Sequence, residues 1–584
     1  MKALSAIKPS LRIIIIILMI NSANRATAAT ITSKASGNWS TPATWINGVV
    51  PLTSDDVIVD GLIVLDGNFT CRNLTINDGT GRLTVNPGTA LTINILTNNR
   101  ILEIISNDAG SGSVIFKSVV GSGIVYFERS MSGTIGGMKK WHRFSTPVSD
   151  CEFMSFFDDV NGNGKTIEID SDKPMFSVGI DSENINNWEH PFRKDKVGIS
   201  GELIFGKGYS IALKTDNKVR MSGYPADSTV KIPVTYSTGN RPEGGFGWNS
   251  LGNPFTSAIS VSNFFATNSS QMDPVYGGLY VWNSDGYYEV LSKGSSLTHL
   301  QVGQGFFVRS KVGGGNITFN YAMREHATTA MFKSAIIPWP SIELKAATRD
   351  KSRTTFISFN SQMTQGLDPS YDAAVLKSGG GLELYTKLVE DNGNDFAIQC
   401  LPDVGFDKMV IPVLLDLATG GEVTFSAKSA NLPAGCVPVL EDRQTGISTT
   451  LNTDGAGYKV TLPSNTSGIK RFYLHLSDTK TAPTVAVAAE AKVAATIPSS
   501  SSSINQKLVR IKVYPIGREI HIQGVIDEQN VATLYDITGR SVGVYTLQAA
   551  DNITLYPEGI NNGIYLLRIV QGNAQRFVGK MILR

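Results

Sequence analysis

The chain is poor in the residues that most catalytic chemistry needs. Its 584 residues hold four cysteines, Cys71, Cys151, Cys400 and Cys436, and six histidines, all far apart. There is no C-x-x-C pair, no H-E-x-x-H and no G-x-S-x-G, so the usual zinc, dithiol and serine-hydrolase signatures are missing. Charged residues make up 17%, against roughly 25% in an ordinary globular chain, and the net charge is only +2. No overall field draws nucleic acid or an anionic membrane. The longest apolar run, Ile13 to Ile20, is too short to span a bilayer permanently.

That run has a role of its own. Lys2, Lys8 and Arg12 precede it, and Ala26-Thr27-Ala28 follows it, which is the layout of a signal peptide over residues 1–28. No cysteine follows the cleavage site for lipidation. The expectation is an exported, soluble mature chain. In an oxidising compartment Cys400 and Cys436 could pair; buried free thiols are the alternative.

What the chain has in quantity is glycine, 57 residues, with short alternating apolar runs between turns. Over 29–125 the runs Val57-Ile58-Val59, Leu62 to Leu65, Leu74-Thr75-Ile76, Leu83-Thr84-Val85 and Leu91-Thr92-Ile93 are split by Asp66-Gly67-Asn68, Asn77-Asp78-Gly79 and Asn86-Pro87-Gly88. Strands at this spacing predict a short stack of β-helical coils. Trp39 and Trp45 are expected to cap it, with sugar stacking the alternative.

Residues 126–334 contain a duplication, about 126–240 and 241–334. Trp141 to Pro147 aligns with Trp248 to Pro254, Phe156-Phe157 with Phe264-Phe265, Trp188 with Trp282, and Gly206-Lys207-Gly208-Tyr209 with Gly303-Gln304-Gly305-Phe306. The prediction is two β-rich units packed as a pseudo-symmetric pair. Residues 335–478 carry seven further strand candidates, from Ile342–Lys345 to Phe472–Leu476, and suit a jelly-roll or related sandwich. Residues 479–507, Ala/Val/Thr/Pro-rich and then Ser499 to Ser503, read as a linker. Residues 508–584 read as seven short strands of an immunoglobulin-like antiparallel sandwich. The fold class is therefore all-β and multidomain.

The last module also carries a resemblance. Val513-Tyr514-Pro515, then Leu534-Tyr535-Asp536-Ile537-Thr538-Gly539-Arg540, then Gly563-Ile564-Tyr565, then a basic, apolar end from Lys580 to Arg584, resemble the type A C-terminal sorting domain of type IX secretion cargo in Bacteroidetes-type Gram-negative bacteria. Where that family usually continues Tyr-Pro-Asn-Pro, Ile516 and Gly517 follow Pro515 here. Asp368 to Asp372, Leu440-Glu441-Asp442 and Arg471-Phe472 resemble segments found beside such domains, and the opening coils and the second repeat resemble parts of other Bacteroidetes surface proteins. The resemblance implies recognition by the type IX machinery, removal of 508–584 by its processing enzyme, and a surface or secreted product.

Candidate chemistry is sparse. Asp159, Asn161, Asn163 and Asp170, with Gly164 at position 6, space oxygens as a calcium loop does. Against it stand an Asp at position 12 and flanks that do not read as a helix pair; the alternative is a solvated Asn-Gly turn. Gly164-Lys165-Thr166 lacks the first glycine of a phosphate loop. His142 with Ser145 and Asp150 lacks a nucleophile elbow, and a structural histidine is expected. The pairs Asp55-Asp56 and Asp158-Asp159 could serve glycoside hydrolysis only if carboxyls met across the fold. Tyr287 and Tyr288, after Asp285-Gly286, are candidate ligand contacts, with a surface glycan or a host or matrix ligand as partner. The leading expectation is a structural, adhesive or ligand-binding surface protein that is not an enzyme. The alternative is a carbohydrate-active hydrolase with an unrecognised carboxylate site.

Overall fold

The computed structural model describes residues 28–133, 140–152, 178–183, 187–189, 202–213, 216–237, 246–283, 286–328, 339–405, 408–451, 457–468, 470–478, 512–516, 519–523, 530–536, 541–547, 552–557, 560–561, 563–571 and 574–583. The architecture is all-β; the one α-helix among the described residues is Val261–Asn268. Among them no helix is long and apolar enough to cross a membrane. The chain divides into two compact units, 1–486 and 487–584.

The first unit opens on the coil stack. Thr30–Thr32, Asp56–Val59, Asn73–Ile76, Ala90–Asn98 and Ser113–Val120 form one parallel sheet. Gly37–Asn38, Leu62–Leu65, Arg82–Val85, Ile101–Ile104 and Ile124–Met131 form a second. Successive strands alternate between the sheets, so each coil supplies one strand to each. Alternate residues such as Val57, Val59, Ile63 and Leu65 then point into a shared core and are buried. Trp39 and Trp45 are fully buried at the first coil. Their rings meet edge to face at 5.2 Å, Trp39 stacks on Phe69, and the Trp45 indole donates to the Trp39 carbonyl at 2.8 Å. They cap the stack and offer no face to a sugar.

The repeat pair continues from this core. Asn217–Pro225, at the end of the first repeat, adds antiparallel to Ile124–Met131 and extends the coil-stack sheet. Each repeat then builds a four-stranded sheet of the same order. In the first, Trp141–Phe144 pairs Tyr209–Ala212, which pairs Val178–Ser182, which pairs Asn187–Glu189. In the second, Trp248–Gly252, Gly305–Arg309, Leu279–Trp282 and Tyr288–Leu291 follow in that order. The register corrects one pairing of the sequence alignment. Trp188 lies on the fourth strand opposite Asp181, whereas Trp282 lies on the third, opposite Tyr288. The counterpart of Trp188 is Tyr288; the two tryptophans sit on opposite strands of corresponding hairpins. The Phe156-Phe157 match lies outside the described residues.

Residues 341–478 form one hydrogen-bonded sheet of eleven strands. All seven strand candidates of this region fall in it. The sheet folds over on itself: Phe425 and Phe472, on strands distant in the order, have ring centroids 4.8 Å apart. Leu344, Ile411, Val423 and Leu474 share that one core.

In the second unit seven antiparallel strands make two sheets. Lys512–Ile516, Glu519–Gln523 and Asn552–Leu555 form one; Ser541–Leu547, Asn530–Tyr535, Gly563–Gln571 and Ala574–Leu583 form the other. Ile520, Ile522, Leu534, Leu567 and Ile569 are buried between them. This is the sandwich read from the sequence.

Candidate functional site

A cleft of about 130 Å³ opens where the second repeat meets the eleven-stranded sheet. One wall is Tyr288–Leu291, the edge strand of its sheet. The other comes from Ser341–Ala347, Ser352–Phe359 and Leu382–Thr386. The walls are fixed to one another. The Tyr280 hydroxyl donates to the Ala374 carbonyl at 2.7 Å, the Ser292 hydroxyl to the Tyr371 carbonyl at 2.6 Å, and Tyr280, Val290, Phe307, Ala373 and Ile398 form an apolar patch behind the cleft. The turn Asp368 to Asp372 is the joint: buried Asp372 accepts the amides of Asp368 and Cys400 at 2.6 and 2.7 Å.

Tyr287 and Tyr288 both line the cleft. They do not present bare ring faces. The Arg353 guanidinium stacks over the Tyr287 ring, 4.1 Å from its centroid. Tyr288 packs edge to face on Trp282 at 4.9 Å and on Phe307 at 6.0 Å. The tyrosines instead organise polar groups. The Tyr287 hydroxyl donates to Glu289 Oε1 at 2.8 Å, and Asn283 Nδ2 stands 3.3 Å from that hydroxyl.

Three glutamates line the same space: Glu289, Glu343 and Glu383. Burial pushes the Glu289 carboxyl above its ordinary range; the Tyr287 hydrogen bond opposes this, and the nearby Glu343 charge adds to it. Glu383 is held by the Ser378 amide and hydroxyl at 2.9 and 2.8 Å. Arg353, only 6% exposed, stands between these carboxylates. Its Nη1 donates to the Ser352 carbonyl at 2.9 Å. Its Nε is 3.8 Å from Glu383, beyond hydrogen-bond range, and has no partner. Gly380 lets the guanidinium in, since a Cβ there would sit 2.8 Å from Nη2.

The sequence reading found the two tyrosines but missed Arg353 and the glutamates. They come from a different sheet, and the one local signal was Gly379-Gly380-Gly381 ahead of Glu383. The other candidates do not assemble. Asp55 is buried and accepts the amides of Ala29 and Leu52 at 3.1 and 2.8 Å, while Asp56 pairs with Arg72; both are structural. His142 Nε2 donates to the Ser132 carbonyl at 2.8 Å, and burial pulls its imidazole down to about 4. Among the described residues His142, Ser145 and Asp150 share no hydrogen bond. Asp159, Asn161, Asn163 and Asp170 lie outside the described residues, and among those described no group of His, Cys, Asp and Glu is gathered to hold a metal ion.

Of the sorting-domain residues, Tyr514 and Pro515 lie in the first strand opposite His521 and Ile520. Tyr535 ends the strand before Asp536. Gly563 opens the long hairpin opposite Leu583, and Lys580 stands opposite Leu566. Buried Tyr565 donates its hydroxyl to the Asn561 carbonyl at 2.7 Å. Gly539 and Arg540 lie outside the described residues.

A family model described as "Domain of unknown function (DUF8693)" matches residues 30–475, and the chain belongs to that family. The matched span runs from the coil stack to the eleven-stranded sheet, so the cleft lies inside it. No curated protein matches. Among solved structures, a biofilm associated protein BSP domain aligns at 10% identity and a TM-score of 0.12, over 78% of this chain and 98% of that one. A Salmonella alpha-2-macroglobulin reacted with methylamine aligns at 9% identity and a TM-score of 0.14, over 81% of this chain and 33% of that one. Likeness at this level carries no argument about function.

Proposed function

We propose that this is an exported surface protein that binds a ligand at the cleft between its second repeat and its eleven-stranded sheet. In this reading residues 508–584 address the chain to type IX secretion. The observation that carries the binding role is the cleft itself: Arg353 Nε, buried and without a partner, stands among carboxylates and a tyrosine hydroxyl. Buried polar groups are normally satisfied, and one without a partner beside a cleft of convergent polar groups supports a binding site there. The seven-stranded terminal sandwich supports the sorting role through the resemblance of Tyr514-Pro515, Tyr535-Asp536 and Gly563-Ile564-Tyr565. The ligand is taken as a surface glycan or a host or matrix molecule, and the role as adhesive or structural.

One observation favours a second reading, a carbohydrate-active hydrolase. Glu289, raised by burial with the Glu343 charge adding to it, and Glu343 line one cleft, and glycoside cleavage uses a pair of carboxyls. The experiment that separates the readings is a turnover screen of the purified protein on polysaccharides and peptides. Binding without turnover supports the first. Turnover abolished by Glu289→Gln or Glu343→Gln contradicts it and establishes the second.

A further inference from the structure

We infer that the cleft at Tyr287, Glu289, Glu343, Arg353 and Glu383 recognises an uncharged polyhydroxylated ligand, such as the terminal unit of a neutral saccharide. This rests on the binding reading above and names its ligand class.

The cleft offers both donors and acceptors. Arg353 is a permanent cation that lines the cleft, and its buried Nε–H has no partner within the protein. Glu343 and Glu383 line the cleft as acceptors. Glu289, which accepts the Tyr287 hydroxyl at 2.8 Å, adds a third carboxyl to the lining. Hydroxyl groups do both, and a sugar ring presents several on one edge. Each can meet a carboxylate on one side and the guanidinium on the other.

Charged ligands fit less well. An anion would pair with Arg353 but face Glu343 and Glu383, and leaving like charges together without water is costly. A cation would meet the carboxylates but face a guanidinium fixed between the Tyr287 ring and Gly380. Stacking does not decide the matter, because Arg353 already covers the Tyr287 face. A volume of about 130 Å³ suits one ring entering from an open side and does not suit a long chain lying flat.

The test is saturation-transfer NMR and calorimetry on the purified full chain. The probes are methyl glycosides of glucose, galactose, mannose and N-acetylglucosamine, with sialic acid and glucosamine as charged controls. At least one neutral glycoside is expected to bind in preference to both controls. Thr354→Trp, which fills the cleft from a half-buried position, is expected to abolish the signal. Glu343→Gln, which replaces one acceptor oxygen by a donor, is expected to weaken binding about tenfold or more. Circular dichroism and melting identify any variant that fails to fold, and Thr354→Trp and Glu343→Gln test the site independently.

No binding by any neutral glycoside overturns the ligand class. So does tighter binding of sialic acid or glucosamine, or binding that survives Thr354→Trp. Slow hydrolysis of a bound neutral glycoside would overturn the binding-only function while leaving the ligand class standing, so the two failures are distinct.

Discussion

Ser145 and Gly252 occupy the same position in the two repeats and face each other where the repeats join. A Cβ on Gly252 would lie 1.9 Å from the Cβ of Ser145. The bonds around them are reciprocal. The Ser145 amide donates to the Gly303 carbonyl and the Gly252 amide to the Gly206 carbonyl, each at 2.9 Å. Phe144 bridges Gln304, and its counterpart Leu251 bridges Lys207. One of the two facing residues must be a glycine. Gly252→Ala is therefore expected to destabilise the protein by about 1–3 kcal/mol, the usual cost of overpacking. The double variant Ser145→Gly with Gly252→Ala is expected to recover most of that loss. Gly61→Ala, whose Cβ would meet nothing closer than 3.7 Å, is the neutral control. Melting temperatures of the four proteins decide it.

A second prediction concerns Asp442 and Arg471. The guanidinium forks onto the buried carboxylate at 2.7 and 2.6 Å, and the Tyr458 hydroxyl adds a third bond. Burial alone would raise the Asp442 carboxyl; these donors outweigh it and hold it at about 2. An unfolded aspartate titrates near 3.9. The stabilisation is thus present above about pH 4 and is lost as pH falls toward 2. Asp442→Ala removes the partner of half-buried Arg471 and is expected to cost about 1.5–3 kcal/mol at neutral pH. Urea midpoints measured from pH 6 to pH 2 should show the gap between wild type and variant narrowing below pH 4.

The cysteines give a third. Cys71 and Cys400 are free thiols. Cys400 is buried, and Ser358 donates to its sulfur at 3.1 Å. Burial, with nearby carboxylates, pushes the Cys71 and Cys400 thiols up to about 12. Neither presents a thiolate. In native buffer a maleimide should leave Cys71 and Cys400, both buried, untouched until denaturant is added. Loss of all free thiols in the freshly isolated protein would contradict this.

These relationships mark the boundary of what was legible in the chain. Period-two alternation and turn residues located the coil stack, the seven strand candidates of 335–478 and the seven strands of 508–584, because each half-buried strand writes its own pattern. The duplication was legible because Trp141 and Trp248 stand before their prolines at equal spacing. The Trp188 match failed because the two tryptophans stand on opposite strands of corresponding hairpins, which residue type alone does not reveal. The cleft was half legible: Tyr287 and Tyr288 follow a turn, but Arg353 and Glu383 are brought to them by sheet packing that no local pattern encodes. Asp442 and Arg471 stood out as separate segments; that they bond to each other is a fact of register.

The central claim is that the family-matched body, 30–475, is the delivered and working part of the chain, and that 508–584 is an address removed on arrival. The most direct test is intact-mass and peptide-mapping mass spectrometry of the protein recovered from the cell surface and culture fluid of its native host, alongside a strain producing the chain without 508–584. The account expects surface material to end within or near 479–507 and the truncated chain to remain in the periplasm. A surface protein intact through Arg584, or normal delivery of the truncated chain, would contradict it.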